Sequence, residues 1–157
     1  MNSLSNKFMR RAIELSINSV SEGGGPFGSV IVKNKEIIAE GVNQVTSNND
    51  PTAHGEITVI REACKFLNTF DLSGTEIYTS CEPCPMCLSA IYWAHIDKIY
   101  YANTKADAAK IGFDDKFIYE EIDKNINLRK IPMLQLMPNE AKKAFLSWEN
   151  KLDKVKY

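Results

Sequence analysis

Four residues of this 157-residue chain could do chemistry together: His54 and Glu56, then Cys84, thirty residues beyond the histidine, and Cys87. One imidazole and two thiols suit a borderline-soft cation such as zinc, and three protein ligands leave its fourth tetrahedral position open. An open position holds water, and zinc lowers the pKa of that water from about 15.7 to roughly 7. Glu56 is then available to carry a proton rather than to ligate. A Cys-x-x-Cys pair admits rival readings. Cys81, Cys84 and Cys87 resemble part of an iron–sulfur run, but position 91, where the next cysteine of that run belongs, is isoleucine. Cys81 could instead complete a closed structural zinc site with His54, Cys84 and Cys87, which leaves Glu56 without a role. We read Cys81 as a core residue or a neighbour of the ligands, Cys64 as a buried hydrophobe, and His95, near a helix C-terminus, as dipole-compensating or surface.

The elements that must position these residues follow from periodicity. Residues 4–21 place Leu4, Phe8, Ile13, Leu15, Ile17 and Val20 at loosely helical spacing. Gly23-Gly24-Gly25-Pro26 ends that helix. Val30-Ile31-Val32 and Glu36-Ile37-Ile38-Ala39 flank Lys33-Asn34-Lys35 as a hairpin. Asp50-Pro51 reads as an N-cap with proline at the first helical position, opening a helix with Ile57, Ile60, Cys64 and Leu67 on one side. Residues 76–79 form a central strand. Cys84-Pro85 opens a second helix, apolar almost all round and so expected to be buried. Residues 98–102 give another strand, 104–110 a short helix, 131–137 a last strand, and 139–153 a closing helix with Ala141, Ala144, Phe145, Trp148 and Leu152 on one stripe. The order predicts an α/β fold, a three-layer α/β/α sandwich around a five-stranded mixed sheet.

Two helix N-termini then face one ion, since Cys84 caps its helix, Cys87 lies in the first turn, and His54 lies near the start of the other. Unpaired N–H groups and the positive end of the dipole favour thiolates there. Positions 54 and 56 of an ideal helix point roughly 200° apart. Glu56 should therefore reach past the ion towards water and substrate.

Composition narrows the partners. A chain of this length fits a single domain, and 44% hydrophobic residues can fill its core. Net charge is −1 and the pI is near 6.1, so the totals carry no basic footprint for nucleic acid. Residues 1–10 lack the apolar core of a secretory signal, and no stretch is long enough to span a membrane. We expect reduced, metal-binding thiols and a cytoplasmic location.

The chain resembles the bacterial guanine deaminases of the cytidine-deaminase-like zinc deaminase superfamily. The stretches that carry the likeness are Gly24-Gly25-Pro26-Phe27-Gly28, Asn48-Asn49-Asp50-Pro51-Thr52-Ala53-His54, Tyr78-Thr79-Ser80-Cys81-Glu82-Pro83-Cys84-Pro85-Met86-Cys87 and Ala90-Ile91-Tyr92-Trp93-Ala94. The His-x-Glu and Pro-Cys-x-x-Cys pairing marks the superfamily. Gly112-Phe113-Asp114-Asp115-Lys116-Phe117-Ile118-Tyr119 is the stretch specific to guanine deaminases. The resemblance implies one zinc ion per subunit on His54, Cys84 and Cys87, and hydrolysis of guanine to xanthine and ammonia. A zinc-activated water attacks the carbon and Glu56 shuttles its proton. Asp115 is implied to contact the amino group and share the proton work; read without the resemblance, Asp114-Asp115 is a helix cap. Phe27 is implied to stack on the base, Asn43 to hydrogen-bond it, and the backbone N–H of Gly55 to contact it. Trp93 lines the pocket or packs in its helix. Similar enzymes are homodimers that exchange C-terminal segments, so Tyr157 is implied to close the neighbouring pocket. Gly55 departs from the family, which mostly carries alanine there; glycine costs roughly 0.5–1 kcal/mol in a helix and removes a methyl beside the substrate. Two other functions compete: another nucleobase, nucleoside or tRNA adenosine deaminase of the superfamily, and a non-catalytic structural zinc module.

Overall fold

The computed structural model describes residues 3–156. It divides into two units, residues 1–115 and residues 116–157. In the first, helix α1 (Ser3–Ser21) leads into strands β1 (Gly28–Lys33) and β2 (Glu36–Val42), then a single turn α2 (Val45–Asn48) and helix α3 (Gly55–Leu67). Strand β3 (Thr75–Cys81), helix α4 (Pro85–Trp93), strand β4 (Lys98–Asn103) and the short helix α5 (Lys105–Lys110) follow. The sheet runs β2-β1-β3-β4. β1 is antiparallel to both neighbours, whereas β3 and β4 are parallel, joined by α4 as a crossover.

Alternation along the strands sends side chains to two cores. Val30, Val32 and Tyr78 pack with Phe8 and Ala12 of α1. Ile31 and Ile77 pack on the other face with Val59 and Ala63 of α3 and Ile91 of α4. The helices approach where the sheet has no side chain. A Cβ on Gly28 would lie 2.6 Å from the Ala12 carbonyl oxygen of α1, and one on Gly41 would lie 2.7 Å from the Gly55 carbonyl oxygen of α3. Gly41 therefore sets how closely the first turn of α3, which carries Gly55 and Glu56, lies against the sheet.

The structure corrects several expectations. The sheet has four strands, not five, among the described residues. Residues 131–137 form no strand: Pro132 cannot donate to a ladder, and Ile131, Leu134 and Leu136 are exposed. The second helix is not buried all round. Its Cys87 and Ile91 are buried, but Tyr92 and Trp93 face outward. On α1 the inward face is Phe8, Ala12, Ser16 and Ser19, while Ile17 and Val20 are exposed. Small residues lie inward because the sheet comes so close at Gly28. Asp50 caps no helix. Its carboxylate accepts from the N–H and hydroxyl of Thr52, a local turn, and α3 starts five residues later.

The second unit contains α6 (Lys116–Asp123), a 3₁₀ turn (Ile126–Leu128) and α7 (Pro138–Asn150). Within it Glu121 accepts from the backbone N–H of Lys130 at 2.6 Å, and the Arg129 guanidinium donates to the Ile122 carbonyl at 3.2 Å. Phe145 and Trp148 of α7 are exposed, and so is Leu152, which lies beyond the end of that helix at Asn150 rather than on its expected stripe.

Candidate active site

His54 and Cys84 occupy equivalent positions. Each is the N-cap of its helix in extended conformation, His54 at φ −69, ψ 158 and Cys84 at φ −66, ψ 168. Neither side chain bonds its own helix, and each N-cap carbonyl instead accepts the first helical bond, from Thr58 and from Leu88. Pro85 at the first position of α4 costs no hydrogen bond there. Both cap side chains are thus free to turn towards each other. His54 lies outside the helix, so the ideal-helix angle between residues 54 and 56 does not apply.

The donors converge. His54 Nδ1 lies 3.6 Å from Cys84 Sγ and 3.5 Å from Cys87 Sγ, and the three ligand atoms lie within 4.8 Å of one another. Tetrahedral zinc with Zn–S bonds near 2.3 Å and Zn–N near 2.05 Å requires an S···N edge of about 3.6 Å. The donor set and its spacing therefore fit zinc. Electrostatics agree. The Cys84 thiol falls to about 4 through the hydrogen bond from Cys87 and that with His54. The Cys87 thiol is pushed up by the same bond, by burial and by Glu56. Hydrogen bonding to Cys84 raises the His54 imidazole. Two thiolates, an imidazole and a carboxylate this close need a cation between them to ionise together.

Cys81 is not a fourth ligand. It is buried, and its Sγ lies 3.7 Å from the carbonyl of Thr104, with its thiol raised to about 11 mainly by burial. Among the described residues the cluster has three protein donors, and a tetrahedral ion held by three donors keeps one position for solvent.

Glu56, on the first turn of α3, is 5% exposed. Its Oε2 lies 3.4 Å from Cys87 Sγ, and its Oε1 accepts from the Thr79 hydroxyl at 3.3 Å. Burial pushes its carboxyl up. Asp115 is raised too, by burial first and then by the Cys84 thiolate, which sets its carboxyl within electrostatic reach of the ligands. Phe27 meets Phe113 edge to face, and Phe27 C=O accepts from the Asn43 N–H at 3.0 Å. Asn43 Oδ1 accepts from the Val45 N–H at 3.3 Å, which leaves its amide NH₂ to point elsewhere. Gly55 is the first residue of α3, where the helix itself offers its N–H no acceptor. A methyl at 55 would lie 3.2 Å from the Phe27 carbonyl oxygen and 3.5 Å from Ser29 Oγ. It would press on Phe27 and on Ser29 of strand β1.

Trp93 ends α4, about 13 Å along the axis from Cys84 by helical rise, and is 65% exposed; the structure does not bring it to the ligands. Tyr157 lies outside the described residues. Cys64 is partly buried against the core beneath α3, and His95 is exposed, 3.6 Å from Asp71. A cavity of about 440 Å³, lined by Phe8, Glu76, Tyr78, Lys98 and Tyr100, opens at the other end of the strands and holds none of the site residues. Sequence reasoning missed Ser29 and Thr79, buried hydroxyls beside Glu56. Their signal was available, because polar residues inside a strand covered on both faces demand partners.

The comparisons agree with this geometry. The cytidine and deoxycytidylate deaminase zinc-binding region matches residues 2–103. The chain belongs to that zinc deaminase family. Within it, the likeness extends over nearly the whole chain to the guanine deaminase of Bacillus subtilis, 53% identical over 96% of this chain and 97% of that one. The X-ray structure of that enzyme superposes with a TM-score of 0.95 at 52% identity, covering 100% of this chain and 99% of the other. The guanine deaminase of Nitrosomonas europaea gives a TM-score of 0.65 at 32% identity, covering 69% and 63%. The tRNA-specific adenosine deaminase of Aquifex aeolicus is 40% identical over 60% of this chain and 63% of its own.

Proposed function

We propose that the protein hydrolyses guanine to xanthine and ammonia, with Glu56 as the proton carrier. One observation carries the reading: a buried carboxylate beside a three-donor zinc site, close to Cys87 yet outside the ligand set. His54, Cys84 and Cys87 hold the ion. When bound, zinc acidifies water towards neutrality and supplies positive charge at the reacting centre. Glu56 takes the proton of the attacking water and delivers it to the ring nitrogen. Asp115, across the reacting carbon, contacts the amino group and helps protonate it as it leaves. Carbon gains an oxygen from water and loses nitrogen as ammonia, so the atoms balance. Phe27 stacks on the base, which is typically worth about 1–3 kcal/mol. The Asn43 amide and the Gly55 N–H supply hydrogen bonds.

Guanine is preferred over the other bases because the likeness to the Bacillus subtilis guanine deaminase spans 96% of this chain, against 60% for the Aquifex enzyme. The absence of net basic charge also favours a free base over tRNA. We read residues 1–157 as one deaminase domain, a three-layer α/β/α sandwich, acting as a cytoplasmic homodimer in purine catabolism. Among the described residues no helix is long and apolar enough to cross a membrane. Exchange of C-terminal segments between subunits, with Tyr157 closing the neighbouring pocket, gives the exposed Leu134, Leu136 and Phe145 a place to be covered.

The test is xanthine formation from guanine, with zinc content measured on the same sample and parallel incubations with cytosine, adenine and tRNA. Ammonia from cytosine, adenine or tRNA alone overturns the substrate assignment. Zinc bound without deamination of any of them leaves the structural zinc module.

A further inference from the structure

Beneath the first turn of α3 lies a short chain of buried hydroxyls with no role in the reaction as described. Ser29 of β1 and Thr79 of β3 are direct cross-strand partners, on the sheet face that packs against α3. Ser29 is 0% exposed and Thr79 1%. The Ser29 hydroxyl donates to Thr79 Oγ1 at 3.0 Å, and Thr79 Oγ1 donates to Glu56 Oε1 at 3.3 Å.

A hydroxyl has one hydrogen. Ser29 gives its own to Thr79, so Thr79 is left with a single direction for its hydrogen, the Glu56 carboxylate. The two strands fix both oxygens, because neither backbone can shift without breaking the β1–β3 ladder. The donor to Oε1 is therefore set by the sheet, while Oε2 faces Cys87 and the ligand cluster. The two oxygens of one carboxylate are thereby made unequal.

We propose that Thr79, supported by Ser29, is a positioning residue for Glu56: it anchors Oε1 and leaves Oε2 as the oxygen that carries the proton. This rests on the assignment of Glu56 as proton carrier. Positioning of this kind acts on turnover, because a displaced reacting group costs rate rather than ground-state binding.

The zinc-loaded Thr79→Val variant, isosteric but without the hydroxyl, tests it. Its kcat for guanine should fall about ten- to a hundredfold with KM unchanged, and zinc content should stay at the wild-type level. Thr79→Ser, which restores a hydroxyl, should recover most of the loss. In the crystal structure of zinc-loaded Thr79→Val, the Glu56 carboxylate should rotate from its wild-type orientation. A kcat within twofold of wild type, an equal loss in Thr79→Ser, or an unrotated carboxylate overturns the proposal. Should Thr79→Val not fold, Ser29→Ala decides: a loss of about threefold in kcat, the scale of one weakened hydrogen bond, supports it, and no loss overturns it. Wild-type protein that does not deaminate guanine removes the functional reading instead, and the carboxylate orientation then tests the anchor alone.

Discussion

The rings of Phe27 and Phe113 meet edge to face, with centroids 5.0 Å apart and planes at 89°. Phe27 ends the glycine-rich segment before β1, and Phe113 lies two residues before Asp115. This contact holds the segment bearing Asp115 against the edge of the site. Phe113→Ala should lower kcat/KM for guanine roughly tenfold, the scale of an aromatic pair worth about 0.5–1.5 kcal/mol. Steady-state kinetics at constant zinc content check this; unchanged kcat/KM would show that Asp115 is placed without Phe113.

The two carboxylates should separate by the size of their effects. Glu56→Gln should lower kcat about 10²–10⁴-fold and Asp115→Ala at least about tenfold, with zinc retained in both. Stopped-time xanthine assays and metal analysis measure it. Full activity in zinc-bound Glu56→Gln ends the proton-carrier role, and full activity in Asp115→Ala returns that residue to a helix cap.

Zinc should stabilise the fold, since it joins the starts of α3 and α4. A ligand that binds only the folded state adds about 2.7 kcal/mol at one hundred times its Kd. Chelation should therefore lower Tm, and added zinc should restore it. Cys84→Ser should show little response to either. A Tm indifferent to chelator in protein that has demonstrably lost its zinc would falsify the joining role.

Arg11 grips Glu40 with two bonds of 2.7 Å, linking α1 to β2. That pairing holds the Glu40 carboxyl below the usual carboxylate range. The contribution is present above the unfolded pKa and is lost as pH falls through the lowered folded value. Both side chains are about a third exposed, so the pair is worth about 0.2–1 kcal/mol. Urea midpoints should favour wild type over Glu40→Gln at pH 7, and the gap should close below about pH 4. A constant gap from pH 7 to 3 would refute the linkage.

The β1–β2 turn places Asn34 at φ 52 and Lys35 at φ 66, a left-handed pair with no glycine. Lys35→Gly should stabilise the protein by about 0.5–1 kcal/mol, by relieving the Cβ clash that such a φ imposes. Thermal or urea unfolding reads this; a loss of stability would mean that the lysine makes contacts worth more than the strain.

The metal site was legible in the chain alone because its chemistry is local. Cys84-Pro85-Met86-Cys87 codes an N-cap, a proline at the first position and a second thiol in the first turn, and the structure has all three. Donor type does not depend on tertiary context, so zinc followed from one imidazole and two thiols. The hairpin and the central strand were equally local, written in β-branched runs and turn residues. Asp50-Pro51 misled because its turn signals resemble those of a helix start, whereas α3 begins at Gly55 with His54 as its N-cap. Residues 131–137 have the composition of a strand, yet a strand exists only where another offers it an edge. For Trp93 the chain left pocket and helix packing both open, and helical rise sets it at the far end of α4 from Cys84. The loosely helical spacing of residues 4–21 told of a helix but not of its inward face, because the distance between helix and sheet selects alanine and serine there over isoleucine. The anchoring of Glu56 could not be read from the chain. Ser29 and Thr79 lie fifty residues apart, and only the pairing of β1 with β3 sets one hydroxyl against the other beneath the carboxylate.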